Sequence, residues 1–134
     1  MKSFMLLACT ATAMLLITSC GKKDDEAPVI TVNSPADESV FEPGAVIRVD
    51  VTYTDNEELS QWNLDIHEAG GHNHGKTESE WEVTETGDIS GKSETVIVDV
   101  TVPADAEHAA YHFTFSCLDE EGNQSEETIE IDIE

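Results

Sequence analysis

Apolar and polar residues alternate with a period of two along most of this chain, the pattern of strands buried on one face. The clearest run is 45–54, where Ile47, Val49, Val51 and Tyr53 alternate with Arg48, Asp50, Thr52 and Thr54. Trp62, Leu64 and Ile66 repeat the pattern over 61–67, and Val96, Val98, Val100 and Val102 over 95–102. Tyr111, Phe113, Phe115 and Cys117 do so over 108–118, and Ile129, Ile131 and Ile133 over 126–133. A short strand at 29–33 and an edge strand near 80–84, around Trp81 and Val83, complete the set. Turn residues separate the runs, as in Asn33-Ser34-Pro35, Glu42-Pro43-Gly44 and Asp119-Glu120-Glu121-Gly122-Asn123. No stretch carries a helical period of useful length. About seven strands with polar turns predict an all-β, two-sheet β-sandwich, with Trp62 as a large core residue early in its third main strand. Trp81 is a discriminator: exposed beside a groove it favours ligand binding, and covering the core edge it is structural.

The first twenty residues break the pattern. Met1 and Lys2 precede an apolar stretch from Phe4 to Ile17, and Thr18-Ser19-Cys20 follows. The stretch is too short for a comfortable membrane span. It reads as a secretion signal and resembles a bacterial lipobox, with residues 1–19 removed and Cys20 carrying the lipid. Residues 20–27 then read as a lipidated flexible tether and 28–134 as the sandwich domain. With Cys9 removed and Cys20 acylated, Cys117 stands alone, and its alternating context predicts a buried, inert thiol. Lys22-Lys23-Asp24-Asp25-Glu26 resembles the lysine-then-acidic segment that sends many Bacteroidetes lipoproteins to the cell surface. The expected location is the outer membrane, held by the lipid, at the cell surface ahead of the periplasmic leaflet.

Charge narrows the partners. The chain carries 29 acidic against 6 basic residues, a net charge of -23. Such a surface excludes nucleic acid, whose phosphates are met with positive charge. It admits cations or an envelope protein partner. Free sheet edges permit self-pairing, but the dense like charge favours a monomer.

All five histidines follow Cys20: His67, His72, His74, His108 and His112. Alternation turns His67 and His112 outward on strands that neighbour each other in a sandwich of this kind, with the end of one beside the start of the other. The glycine-bearing loop Gly70-Gly71-His72-Asn73-His74-Gly75 leaves from the same corner. The set His67, His72, His74 and His112, with His108 as substitute, is therefore the candidate metal site. Imidazole suits zinc or copper, and Asp65, Glu68 and Glu107 would orient the rings. The turns Asp55-Asn56-Glu57-Glu58 and 119–123 match no twelve-residue calcium loop and read as solvated, which makes calcium the weaker candidate. No nucleophile elbow, phosphate loop or metalloprotease helix is present, so no enzymatic activity is expected.

The lipobox, Asp55-Asn56-Glu57-Glu58-Leu59, Leu64-Asp65-Ile66-His67 leading into Gly71-His72-Asn73-His74-Gly75, and the closing 119–123 turn resemble the domain-of-unknown-function 4625 family of Bacteroidetes lipoproteins. The resemblance implies an immunoglobulin-like domain at the envelope and no established activity. The expectation is an envelope lipoprotein that binds a transition metal through its histidines for capture, delivery or sensing. The alternative is a non-catalytic accessory or interaction module of a surface protein or glycan-binding complex.

Overall fold

The computed structural model describes residues 21–70 and 81–134. They form eight strands: β1 (Val29–Ser34), β2 (Ser39–Phe41), β3 (Val46–Thr54), β4 (Leu59–Glu68), β5 (Val83–Asp88), β6 (Ser93–Thr101), β7 (Ala110–Asp119) and β8 (Gln124–Ile133). Two sheets result, one of three strands in the order β1-β3-β6 and one of five in the order β2-β8-β7-β4-β5. All pairings are antiparallel except the short parallel contact of β2 with β8. The domain is thus an all-β sandwich, with β1 lying across β7 and β8.

The alternation read from the sequence is what closes this core. Ile47, Val49, Val51 and Tyr53 of β3 face Trp62, Leu64 and Ile66 of β4 and Tyr111, Phe113, Phe115 and Cys117 of β7, all buried. Burying each such side chain is worth about 1.5–3 kcal/mol. By contrast, the ion pair between Arg48 and Asp99 spans 3.6 Å with both side chains more than half exposed, a geometry worth at most about 1 kcal/mol. Packing, not surface charge, holds the fold. Trp81 is 4 % exposed and sets its ring edge-on to Tyr111 and Phe113, with centroids 5.4 and 5.8 Å away. Of its two sequence readings, the structural one is correct. Burial, with the charges of Asp55 and Asp119, pushes the Cys117 thiol up to about 11, which keeps it protonated and unreactive at neutral pH.

Two strands differ from the sequence expectation. Residues 39–41, flanked by turns, pair with β8 as β2. The edge strand lies at 83–88 rather than 80–84, so that Gly87 sits inside β5 opposite Trp62. The indole explains the glycine. A Cβ on residue 87 would lie 2.7 Å from Trp62 Nε1, closer than non-bonded atoms tolerate. Gly87→Ala is therefore expected to overpack this corner and lower stability by about 1–3 kcal/mol, measured by urea unfolding against the wild type.

Candidate functional site

The core register determines which polar side chains meet outside. Because Ile66 pairs with Phe113 inside the sandwich, His67 and His112 pair one residue further along and project from the outer face of the five-stranded sheet. Their ring centroids are 5.5 Å apart and perpendicular. Each ring also meets a carboxylate: His67 Nδ1 lies 2.8 Å from Asp65 Oδ1, and His112 Nε2 lies 3.4 Å from Glu130 Oε2. Thr84 donates to the second oxygen of Asp65 at 3.2 Å.

The juxtaposition of His67 and His112 is as expected, but the metal centre drawn from it is not. Among the described residues, the group that brings three ligating side chains together contains no histidine: it is Asp24, Asp119 and Glu121, with ligand atoms within 4.8 Å of one another. His67 commits Nδ1 to Asp65, and His112 turns to Glu130 on the other side of the ladder. His108 is exposed in the turn before β7. Of the residues expected to orient the rings, Asp65 touches His67, while the carbonyl of Glu107 accepts from the Tyr111 hydroxyl at 3.2 Å. Glu68, half-buried at the end of β4, stands opposite Tyr111. His72, His74 and Cys20 lie outside the described residues. The expected transition-metal centre built on a histidine cluster is therefore corrected. The carboxylates that could hold an ion sit at the far end of β7, seven residues from His112, or roughly 23 Å along an extended strand.

This acidic end has its own construction. Asp119 is 3 % exposed and is held by Asn123, whose backbone N–H donates to Oδ1 at 2.7 Å and whose Nδ2 donates to Oδ2 at 2.6 Å. Gly122, at φ +87°, supplies the left-handed residue that closes the turn. The same Asn123 amide reaches the Asp24 carbonyl at 3.2 Å, and Asn56 Nδ2 donates to Asp24 Oδ1 at 2.9 Å. The segment before β1 is thereby pinned to the end of the sandwich. Asp24 Oδ2 is shielded and without a hydrogen-bond partner, although the residue as a whole is only half-buried. Carboxylate oxygens alone provide a hard donor set, which does not specify zinc or copper over calcium. The 119–123 turn is visible in the sequence as a turn. The participation of Asp24, almost a hundred residues away, leaves no local signal there.

The two flanking carboxyls titrate in opposite directions. The Asn56 amide, with the Glu26 backbone N–H, holds Asp24 below its usual value of 3.8. Slight desolvation by its neighbours, then the charges of Asp119 and Asp24, push the exposed Glu121 above 4.5. A depressed carboxyl contributes stability above its unfolded value, which is lost as pH falls through the lower folded value; a raised one costs stability as pH climbs from the unfolded to the folded value. Glu121→Gln is therefore expected to raise the thermal midpoint at pH 7, with the gain vanishing under acid conditions where both forms are neutral. Asn56→Ala is expected to lower it at pH 7 and to matter progressively less as Asp24 protonates. Melting curves followed by circular dichroism from neutral to acid pH check both signs.

Residues 18–134 match the model of a family described as Domain of unknown function (DUF4625). No curated protein matches the chain in sequence. Among solved structures, Spo0M, a sporulation control protein from Bacillus subtilis, superposes with a TM-score of 0.54 at 10% identity, over 81% of this chain and 49% of that one. A DUF4466 family protein from Parabacteroides merdae gives 0.53 at 14%, over 77% and 43%. Catalytically inactive OgpA from Akkermansia muciniphila, in complex with an O-glycopeptide substrate, gives 0.54 at 12%, over 87% and 32%. The likeness is one of fold, and this chain spans half or less of each of those chains.

Proposed function

The chain belongs to the DUF4625 family, and from that premise we propose that it is a non-catalytic interaction module: an immunoglobulin-like sandwich, tethered to the bacterial envelope through Cys20, that binds a polar protein or glycan partner. The observation that carries this reading is the outer face of the five-stranded sheet. Gln61, Asn63 and Asp65 of β4 stand beside Thr114 and Ser116 of β7, with Glu126 and Thr128 of β8 next in line. This surface is rich in amide, hydroxyl and carboxylate groups, positioned by the paired strands underneath. Such groups match the hydrogen-bonding demand of sugar hydroxyls and peptide backbones. The aromatic residues and the thiol of the described sandwich strands point into the core instead, where they can build no reactive site.

The likeness to larger chains supports the same view. In each, a sandwich of this shape makes up half or less of the molecule, and one of them was crystallised with an O-glycopeptide. The strand order β1-β3-β6 over β2-β8-β7-β4-β5 supports the immunoglobulin-like reading, since β4, β7 and β8 are neighbours in one sheet as strands C, F and G are in that topology, while β3 and β6 pair in the other as B and E do.

Titration of the protein with a panel of neutral oligosaccharides, O-glycopeptides and polar peptides tests the proposal. Binding by one class, weakened at least about tenfold by Ser116→Arg at the centre of the face, is the expected result. Binding that this bulky charge leaves untouched would dissociate the function from the face. For the anchor, metabolic labelling with a fatty acid is expected to mark the wild-type chain and not Cys20→Ala; equal labelling would overturn it.

A further inference from the structure

The two sheets have four edge strands, and three are poor templates for another strand. β2 has only three residues. β1 carries a register break between Val32 and Ser34. β5 is six residues long and includes Gly87 together with Glu85 and Asp88. Irregularity, brevity and charge are the usual protections of a sheet edge. β6 has none of them along its middle. Its nine residues pair with β3 without a break, and the run Thr95-Val96-Ile97-Val98 is uncharged. Among the described residues no strand pairs with its outer side.

The hydrogen bonds that flank β6 show which groups that side presents. Val102 N–H donates to the Ala45 carbonyl at 2.9 Å, and Asp55 N–H donates to the Lys92 carbonyl at 3.0 Å. Antiparallel ladders alternate between bonded and non-bonded pairs. Residues 94, 96, 98 and 100 therefore bond to β3, and the backbone groups of Thr95, Ile97 and Asp99 point to the free side. The side chains of these same three residues stand on the outer face of the sheet, with Ile97 48 % exposed.

That outer face differs from the rest of the molecule. Its charged side chains are Arg48, Asp50 and Asp99, and Arg48 pairs with Asp99. Asn33 donates to Asp50 at 2.9 Å and to Thr52 at 3.0 Å, and Thr52 meets Thr95 at 3.0 Å. Several of its polar groups bond to one another and its charge is nearly balanced, whereas the outer face of the five-stranded sheet carries Asp65, Asp88, Glu126, Glu130 and Asp132 with no lysine or arginine on its strands. A molecule of net charge -23 can meet its own copy only where the like charge is lowest.

We propose that two copies associate through β6, antiparallel about a twofold axis at Ile97, to give one continuous six-stranded sheet. In this register Ile97 faces Ile97 of the second copy, and the two exchange both backbone hydrogen bonds. Thr95 faces Asp99, Val96 faces Val98, and Glu94 faces Val100, so no two acidic residues stand opposite each other. Centring the pair on Asp99 instead would oppose two carboxylates directly, which is destabilising. The proposal is independent of the partner-binding face.

The test is sedimentation equilibrium of the full chain in a mild detergent, over a range of micromolar concentrations. The expected mass rises from one chain to two with concentration, and association tightens with salt as the net repulsion is screened. Ile97→Lys sets two ammonium groups together on the axis and is expected to weaken association at least about tenfold. Ile97→Pro removes a donor that faces the free side and is expected to do the same; if it impairs folding by circular dichroism, the lysine variant decides. Val29→Thr, on the same outer face but on β1, should leave association unchanged. A wild-type chain that stays monomeric throughout, or a dimer indifferent to Ile97→Lys, overturns the proposal, the former leaving the edge to a strand of a different protein.

Discussion

The structure depends on the register between β4 and β7. Trp62, Leu64 and Ile66 stand opposite Cys117, Phe115 and Phe113, and this aromatic and aliphatic ladder forms the floor on which β3 packs. A slip by one residue would turn every one of these side chains to solvent. At about 1.5–3 kcal/mol for each side chain buried, no surface interaction in the molecule can compete with that constraint. Everything on the outer faces is therefore placed by demands made inside.

The histidine pair is the clearest consequence. His67 and His112 are neighbours because Ile66 and Phe113 are, and the proximity requires no function to explain it. A third and fourth ligand would have to be brought in by other elements. In the described sandwich, the side chains that approach the two rings are instead Asp65, hydrogen-bonded to His67, and Glu130, 3.4 Å from His112, on a solvated face. The acidic end of the sheet arises differently. There Asn123 saturates the buried Asp119 and also reaches Asp24, so one amide links the closing turn of the β7–β8 hairpin to the segment that precedes the domain. Three carboxylates are crowded together as a result, and the raised affinity of Glu121 for its proton reflects both slight desolvation and that crowding.

The long strands are legible in the sequence because their burial is one-sided, and one-sided burial writes a period of two. The outward pairing of His67 with His112 follows from the same alternation, once the two strands are taken as neighbours. β2 is not legible as a strand, since three residues between turns carry no period. The shift of β5 is hidden by Gly87, which in isolation signals a loop; only the position of the Trp62 indole shows why a strand needs a residue without a side chain there. The metal reading fails at a different level. Residue type and proximity are sequence-readable, but convergence of three donor atoms on one point is a property of side-chain direction. Asp24 escapes a reading of the sequence because its partners, Asn56 and Asn123, are joined to it by tertiary structure alone.

Charge is distributed differently over the two outer faces. Acidic residues spread over the outer side of the five-stranded sheet oppose contact between copies of the molecule there. The three-stranded sheet has the opposite character. Thr52, Thr95 and Asn33 spend hydrogen bonds on one another and Arg48 pairs with Asp99, so covering these groups strands few polar atoms. The uncharged middle of β6 lies at the border of this face, where backbone donors and acceptors remain available. Net charge alone favours a monomer, but repulsion acts between surfaces and not between totals. A strongly acidic chain that leaves one regular edge nearly neutral carries little of its repulsion along that edge.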